Sequence, residues 1–493
     1  MSRPRVLIEQ WLPIAEIGAE CMRERGASSA LPPLYFLHVW WARRPLTVSR
    51  AAVLASLLPA YPLPDEPDVR SWPNKFLKLF PMFDTYKAWF LKLIGIRGDP
   101  VAGRKLLEWA KTKGKKIQNP YDGPRAFTVN PSNDQLETLY DLLEWTWGTR
   151  EITFCDPMAG GGSIPFEALR FGLTVHANEL NPVAGVILKA TLDYPARFGP
   201  SLVEDIRKYG KMWVERVQKR LRPFYTDLPD DAIGACYLWA RTVACPVTAK
   251  PVPLSPNWWL RRGSDPIAVR LIADPKAARC RFEIVHGRSA CERSKPDNGT
   301  IKRGTAVSPW ANNTTIDGDY IKAEAQAGRM GQQLYAVGIK KAGSFPFRAP
   351  TSDDEAAYER AVKELKKRRP AWEAQELIPT EPRREGRADW AAEIYGTTRW
   401  CDTYAPRQLV AMVTLVEYLR EIVEEAHDEI GSARAEALQV MLAIAVDKAA
   451  DYNSKQIAWH VSRQVVVHAF VRHDLSMRWS FAEFDASRNL VND

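Results

Sequence analysis

Glu151-Ile152-Thr153-Phe154-Cys155-Asp156-Pro157-Met158-Ala159-Gly160-Gly161-Gly162-Ser163 carries three local signals in succession. Residues 151–155 are β-rich and predict a short strand. Asp156-Pro157 ends it, and three adjacent glycines free the backbone from any Cβ before a helix predicted from Ser163 to Phe171, stopped by Gly172. Leu173-Thr174-Val175-His176-Ala177 predicts a second strand ending at Asn178-Glu179. Pro182 to Leu192 predicts a second helix, and Pro182 suits its first turn. The order strand, glycine loop, helix, strand, acid predicts an α/β fold with a Rossmann-like core.

A ligand can approach such a loop closely, and the following helix offers it free N–H groups. Glu179 lies 23 residues past Asp156, where a carboxylate can accept both ribose hydroxyls of an adenosine ligand. Asp156, at the end of its strand, can reach a ligand ammonium. Three readings compete: a dinucleotide, S-adenosylmethionine (SAM), and a glycine turn with no ligand. Dinucleotide sites use GxGxxG with pyrophosphate over the helix end. Here the glycines are adjacent and follow Asp-Pro; a carboxylate there repels pyrophosphate and suits the positively charged SAM. The expected cofactor-binding residues are Asp156, Pro157, Gly160, Gly161, Gly162, Glu179, Leu180 and Asn181.

The remainder of the 493 residues bounds the possibilities. Apolar residues make up 46% and charged residues 26%, which excludes wholesale disorder. Seven cysteines without a CxxC pair exclude a disulfide scaffold. No apolar run approaches the ~18–20 residues of a membrane span, and residues 1–25 lack an apolar signal core, so a cytoplasmic protein is expected. The net charge of +9 mildly favours a polyanionic partner.

Helices are predicted over 48–58, 83–94, 133–147, 200–222, 355–369, 407–426 and 433–450, the last with Ser432 as its N-cap. Residues 236–350 read as irregular, with short strand-like runs at 282–285 and 334–337. The expected divisions are an N-terminal arm and helical region (1–148), the strand–loop–helix–strand unit (149–200), an irregular α+β insertion (201–390) and a helical part returning to the core (391–493).

Beside this loop, the chain resembles the adenine-specific DNA methylases that carry a zinc-ribbon insert and often lie beside phage-defence genes. The specific pieces are His38-Val39-Trp40-Trp41-Ala42-Arg43-Arg44-Pro45 and Asp156-Pro157-Met158-Ala159-Gly160-Gly161-Gly162-Ser163. Weaker matches follow in order at Glu179-Leu180-Asn181-Pro182, Leu238-Trp239-Ala240-Arg241-Thr242, Gly318-Asp319-Tyr320, Pro406-Arg407-Gln408-Leu409 and Asp451-Tyr452-Asn453-Ser454. The resemblance implies SAM as cofactor, double-stranded DNA as partner, and transfer of a methyl group to the N6 amine of adenine. It also makes His38, Trp40, Trp41, Arg43 and Arg44 an arm that folds back on the cofactor pocket. The competing reading of the arm is core tryptophans and acid-paired arginines. Tyr452-Asn453-Ser454 is either a second pocket wall or a helix-end cap.

The sequence departs from that family twice. Cys245 stands alone, and Ser308-Pro309-Trp310-Ala311-Asn312 sits where a second cysteine pair belongs, so no metal is expected. The Asn/Asp-Pro-Pro-aromatic turn that accepts the adenine amine is absent: Pro32-Pro33, flanked by Leu31 and Leu34, is the one Pro-Pro. The resemblance places that turn past Asp493. Three possibilities stay open: a truncated chain, a split enzyme whose second polypeptide carries the turn, or a non-catalytic relative. The resemblance places target recognition in the insertion, where Trp258, Trp259, Arg261, Arg262, Arg303, Lys322, Arg329 and Lys366–Arg369 combine cations with aromatic rings; the competing readings are core packing for Trp258 and Trp259 and a solvated helix end before Pro370 for Lys366–Arg369.

Overall fold

The structure, a computed structural model, describes residues 4–26, 31–38, 40–41, 43–66, 69–311, 314–383, 393–471 and 477–488. It is mixed α/β, 48% helical and 17% strand, with several small sheets. The chain forms two compact units, 1–202 and 203–493.

The first unit is built on helices α1 (Ile14–Arg25), α2 (Leu46–Leu57), α3 (Phe83–Leu93), α4 (Pro100–Thr112) and α5 (Asn133–Trp147). Strand β1 (Thr153–Asp156), helix α6 (Ser163–Arg170), strand β2 (Thr174–Ala177) and helix α7 (Pro182–Leu188) follow. The strand–loop–helix–strand order expected from the sequence is thus present, and β1 pairs with β2 in parallel, Asp156 opposite Ala177. Helix α7 ends four residues before the expected Leu192 and passes into a π-helical turn, Lys189–Asp193. Leu54, Tyr86, Phe90, Leu139, Leu142 and Phe171 form the core.

Two buried acids set the geometry of this unit. Glu24 on α1 accepts from the backbone N–H groups of Leu46 and Thr47, at 2.9 and 3.3 Å, and so caps the start of α2. Burial holds its carboxyl above the usual range even against these bonds. Arg50 on α2 and Glu167 on α6 are both fully buried and meet at 2.7 Å. The same guanidinium donates to the carbonyls of Ile94, Ala126 and Val129, at 3.0–3.2 Å. Gly95, with φ +88°, leaves the space for it: a Cβ there would lie 2.6 Å from Arg50 Nη1.

The second unit corrects the expectation that 236–350 is irregular. Strand β3 (Ala232–Ala244) is the centre of an antiparallel sheet with β4 (Pro251–Leu254), β8 (Gly331–Lys341), β9 (Phe347–Arg348) and β10 (Ser480–Phe484), in the order β9-β8-β3-β10 with β4 on the end of β3. β3 is buried almost end to end. Its Tyr237 and Trp239 face a core shared with helices α8 (Ser201–Leu221), α9 (Ser352–Ala374), α10 (Pro406–Ile430) and α11 (Ser432–Tyr452). Its Cys236, Leu238 and Ala240 join Trp258, Val269 and Phe282 of a second sheet, β5 (Trp259–Arg261), β6 (Ile267–Ile272) and β7 (Arg281–His286). A strand covered on both faces loses the alternation of apolar and polar residues, so the period that marks a strand in sequence is missing.

Helix α9 runs through Pro370, where the sequence predicts an end, because Trp372 in its last turn is buried. The cap of α11 is Gly431, with φ 78°, and Ser432 is the first helical residue. At the centre, Arg407 forms two 2.8 Å bonds with Glu483, and Trp239 donates to the same carboxylate at 2.7 Å.

Arg50→Met leaves the buried Glu167 with Arg170 alone, 3.0 Å away, and three carbonyls without their donor, and we expect a loss of about 3–5 kcal/mol in denaturant unfolding. A loss under about 1 kcal/mol would remove the pair from its anchoring role.

Candidate functional site

β1 ends at Asp156, whose Oδ1 accepts from the backbone N–H of Met158 at 3.1 Å and starts the turn. The loop is tied to β2 by two backbone bonds, Asn178 to Asp156 and Ala159 to Asn178, at 2.9 and 3.0 Å. Gly160 and Gly162 take φ of 54° and 81°, in the left-handed region where glycine is favoured, and Gly162 caps α6. The third tie is the side chain of Glu179. Its Oε2 accepts from Gly160 N–H at 2.8 Å, and its Oε1 accepts from Leu180 and Asn181 N–H at 2.9 and 3.2 Å. The Gly160 bond first, then the others, hold this carboxyl below the usual range. Asn181 caps α7 by accepting from Val183 N–H at 2.9 Å, with Pro182 in the first turn.

Asp156, Pro157, Gly160, Gly161, Gly162, Glu179, Leu180 and Asn181 are therefore neighbours around one bend between two parallel strands. Around it, Met158 is 83% and Leu180 96% exposed. Two large apolar side chains stand open in water beside two carboxylates, where neither has a core to join.

The arm meets the loop at Trp40. A Cβ on Gly160 would lie 2.8 Å from Trp40 Nε1, and one on Gly161 would lie 2.9 Å from Trp40 Cβ. The indole of Trp40 thus occupies the face that the missing side chains leave free. Trp41 is 63% exposed, its ring centroid 5.2 Å from that of Trp40. Arg43 lies over the ring of Tyr35 at 5.1 Å, and the Arg44 carbonyl accepts from Tyr35 Oη at 2.6 Å. His38 follows a short helix, Leu34–Leu37, in extended backbone. Val39 and Ala42 lie outside the described residues. Arg50 carries this arrangement without having been marked by the sequence reading; the signal was one cation inside the apolar run 46–58.

The cations of the insertion are largely paired. Arg261 meets Asp265, Arg262 meets Asp297, Lys322 meets Asp319, Arg329 meets Glu324, Arg368 meets Glu417 and Arg369 meets Glu373. Trp258 is buried in the core, while Trp259 is half-buried and donates to Asp297. Arg303 sits in a positive-φ turn, and Lys366 and Lys367 are exposed.

No group of three His, Cys, Asp or Glu among the described residues is placed to hold a metal ion. The segments around Cys245 and Ser308 nevertheless meet. Ser308 Oγ donates to Cys245 Sγ at 3.1 Å. Burial pushes this thiol up, but bonds from the Ser308 and Thr248 side chains and from the Thr248 and Val247 backbone outweigh burial and set it below the usual value. A sulfur wrapped by backbone N–H groups across from a second Ser-Pro-Trp-Ala bend has the setting of a metal knuckle with hydroxyls in place of thiolates. Asn312 is outside the described residues. We expect the triple variant Thr248→Cys, Ser308→Cys, Ala311→Cys to retain one zinc ion per chain by atomic absorption. Purified variant without zinc would show that the two bends are too far apart.

A family model described as a protein of unknown function, DUF1156, matches residues 11–80, which include α1 and α2. No curated protein and no solved structure matches the chain.

Proposed function

We propose that this chain is the SAM-binding and target-recognition portion of an adenine-N6 DNA methyltransferase, with a Rossmann-like core that includes β1, α6, β2 and α7. The observation that carries the reading is the Glu179 carboxylate. It closes the glycine loop at the ends of two parallel strands while Leu180 and Met158 stay open beside it.

The residues of the bend fit the proposed cofactor by their chemistry. Glu179 Oε2 accepts one N–H bond and keeps a lone pair that suits a ribose hydroxyl, while Oε1 already accepts two. Asp156 supplies a carboxylate for a cationic amino-acid tail, and Leu180 and Met158 supply apolar surface for a purine face. SAM, when bound, provides a methyl group activated on a sulfonium. The chain's own work is to hold the loop rigid, through Glu179 below it and Arg50–Glu167 behind α6, and to pack Trp40 on the glycines. DNA as partner is supported by the resemblance and by the +9 charge, while the paired cations of the insertion lend it little.

A second reading, a methyltransferase-like subunit that binds DNA or a partner without catalysis, is favoured by one observation: the single Pro-Pro lacks both the polar and the aromatic neighbour that base methylation uses. Both readings allow a second polypeptide that carries the catalytic turn.

Ultraviolet cross-linking with methyl-tritiated SAM tests the site. We expect label on the peptides spanning 156–181, and Glu179→Ala to weaken binding about tenfold to a hundredfold. Label confined to other peptides would refute the assignment. The isolated chain is expected to transfer little tritium to unmethylated DNA, and robust transfer would show that the adenine-binding turn has been misplaced.

A further inference from the structure

Residues 104–116, the end of α4 and the turn after it, hold six cations and one acid, a net +5 in a chain whose whole balance is +9. The helix turns Gly103 and Ala110 inward, where both are buried. A Cβ on Gly103 would lie 2.8 Å from the Tyr121 ring, and the Arg23 guanidinium of α1 lies over that ring at 4.2 Å. This packing fixes what faces out. Lys105, Trp109 and the C-cap Lys113 stand four residues apart, on the side away from Gly103 and Ala110. Trp109 is 46% and Leu106 45% exposed. Gly114, with φ +63°, then lets the Lys115 N–H donate back to the Ala110 carbonyl at 2.8 Å. That turn returns Lys115 to the helix, with its Nζ 5.3 Å from the centre of the Trp109 ring.

The one acid of the stretch is taken: Glu108 meets Arg104 at 2.7 Å. Lys105, Lys111, Lys113, Lys115 and Lys116 are exposed, and none of them forms an ion pair among the described residues. In the insertion, by contrast, Arg261, Arg262, Lys322 and Arg329 each meet an acid. The carbonyl end of a helix favours cations, but that effect fades beyond the last turn, and Lys105 lies two turns earlier. It also gives no reason for an indole left half in water among lysines. Like charges gathered on one face repel one another until a polyanion answers them. A helix lying on a membrane needs a broad apolar face with its cations on the flanks. Here the cations interleave with the two apolar side chains, as they do in grooves that track a nucleic-acid strand.

We propose that Lys105, Trp109, Lys111, Lys113, Lys115 and Lys116 bind single-stranded nucleic acid. The lysines take successive phosphates, and Trp109 takes the face of an unpaired base, which a closed duplex keeps stacked inside. The inference rests on the proposed function for its class of partner alone. It uses no residue of the glycine bend, so it can stand where SAM binding fails.

Fluorescence anisotropy of a short labelled DNA strand, titrated with the full chain in the absence of SAM and at several salt concentrations, tests it. Saturable binding is expected, weaker for the same sequence as a duplex. The triple variant Lys113→Gln, Lys115→Gln, Lys116→Gln should flatten the slope of log affinity against log salt by about two. A charge-matched control at exposed lysines of the second unit, Lys276→Gln, Lys302→Gln, Lys363→Gln, should leave that slope unchanged. Trp109→Ala should weaken single-strand binding about tenfold. Equal slopes in the triple variant and the wild type would overturn the proposal. So would a Trp109→Ala effect under about twofold, or binding of anionic phospholipid vesicles with none of the strand.

Discussion

The buried pair between Arg50 and Glu167 sets the frame of the first unit. Glu167 lies on the helix that leaves the glycine loop, and Arg50 lies on the helix that follows the tryptophan arm. One guanidinium thus fixes the loop's helix to the arm's helix and satisfies three backbone carbonyls as well. Glu24 caps the same α2. With both ends of the arm held, Trp40 reaches Gly160 and Gly161, and a glycine-rich bend that would be mobile alone has a packed face.

The loop itself was legible because each of its signals is local. Asp-Pro ends a strand, glycines permit positive φ, and Asn181-Pro182 caps and starts a helix. The position of Glu179 followed from spacing; its bond to Gly160 did not, because a carboxylate that closes a loop and one that waits for a ligand have the same sequence. In the arm, Trp40 packs on the loop, Arg43 lies over the Tyr35 ring, and the Arg44 backbone carbonyl accepts from Tyr35, contacts that no spacing in the sequence marks.

The second unit was the least legible. Its central strand is covered by helices on one face and by a second sheet on the other, so it presents no alternation. Its pivotal contacts join residues far apart in sequence, Arg407 with Glu483 and Arg241 with the Arg478 carbonyl, and no periodicity foretells them. Nothing in the sequence marks that Cys245 is held by a serine 63 residues further on, because that contact is not local.

The account turns on whether the bend between β1 and β2 takes a sulfonium nucleoside. Calorimetric titration of SAM into the full chain measures this directly. Saturable binding at one site per chain is expected, with no comparable heat from NAD. Absence of heat from SAM on folded protein, or preference for NAD, would contradict it.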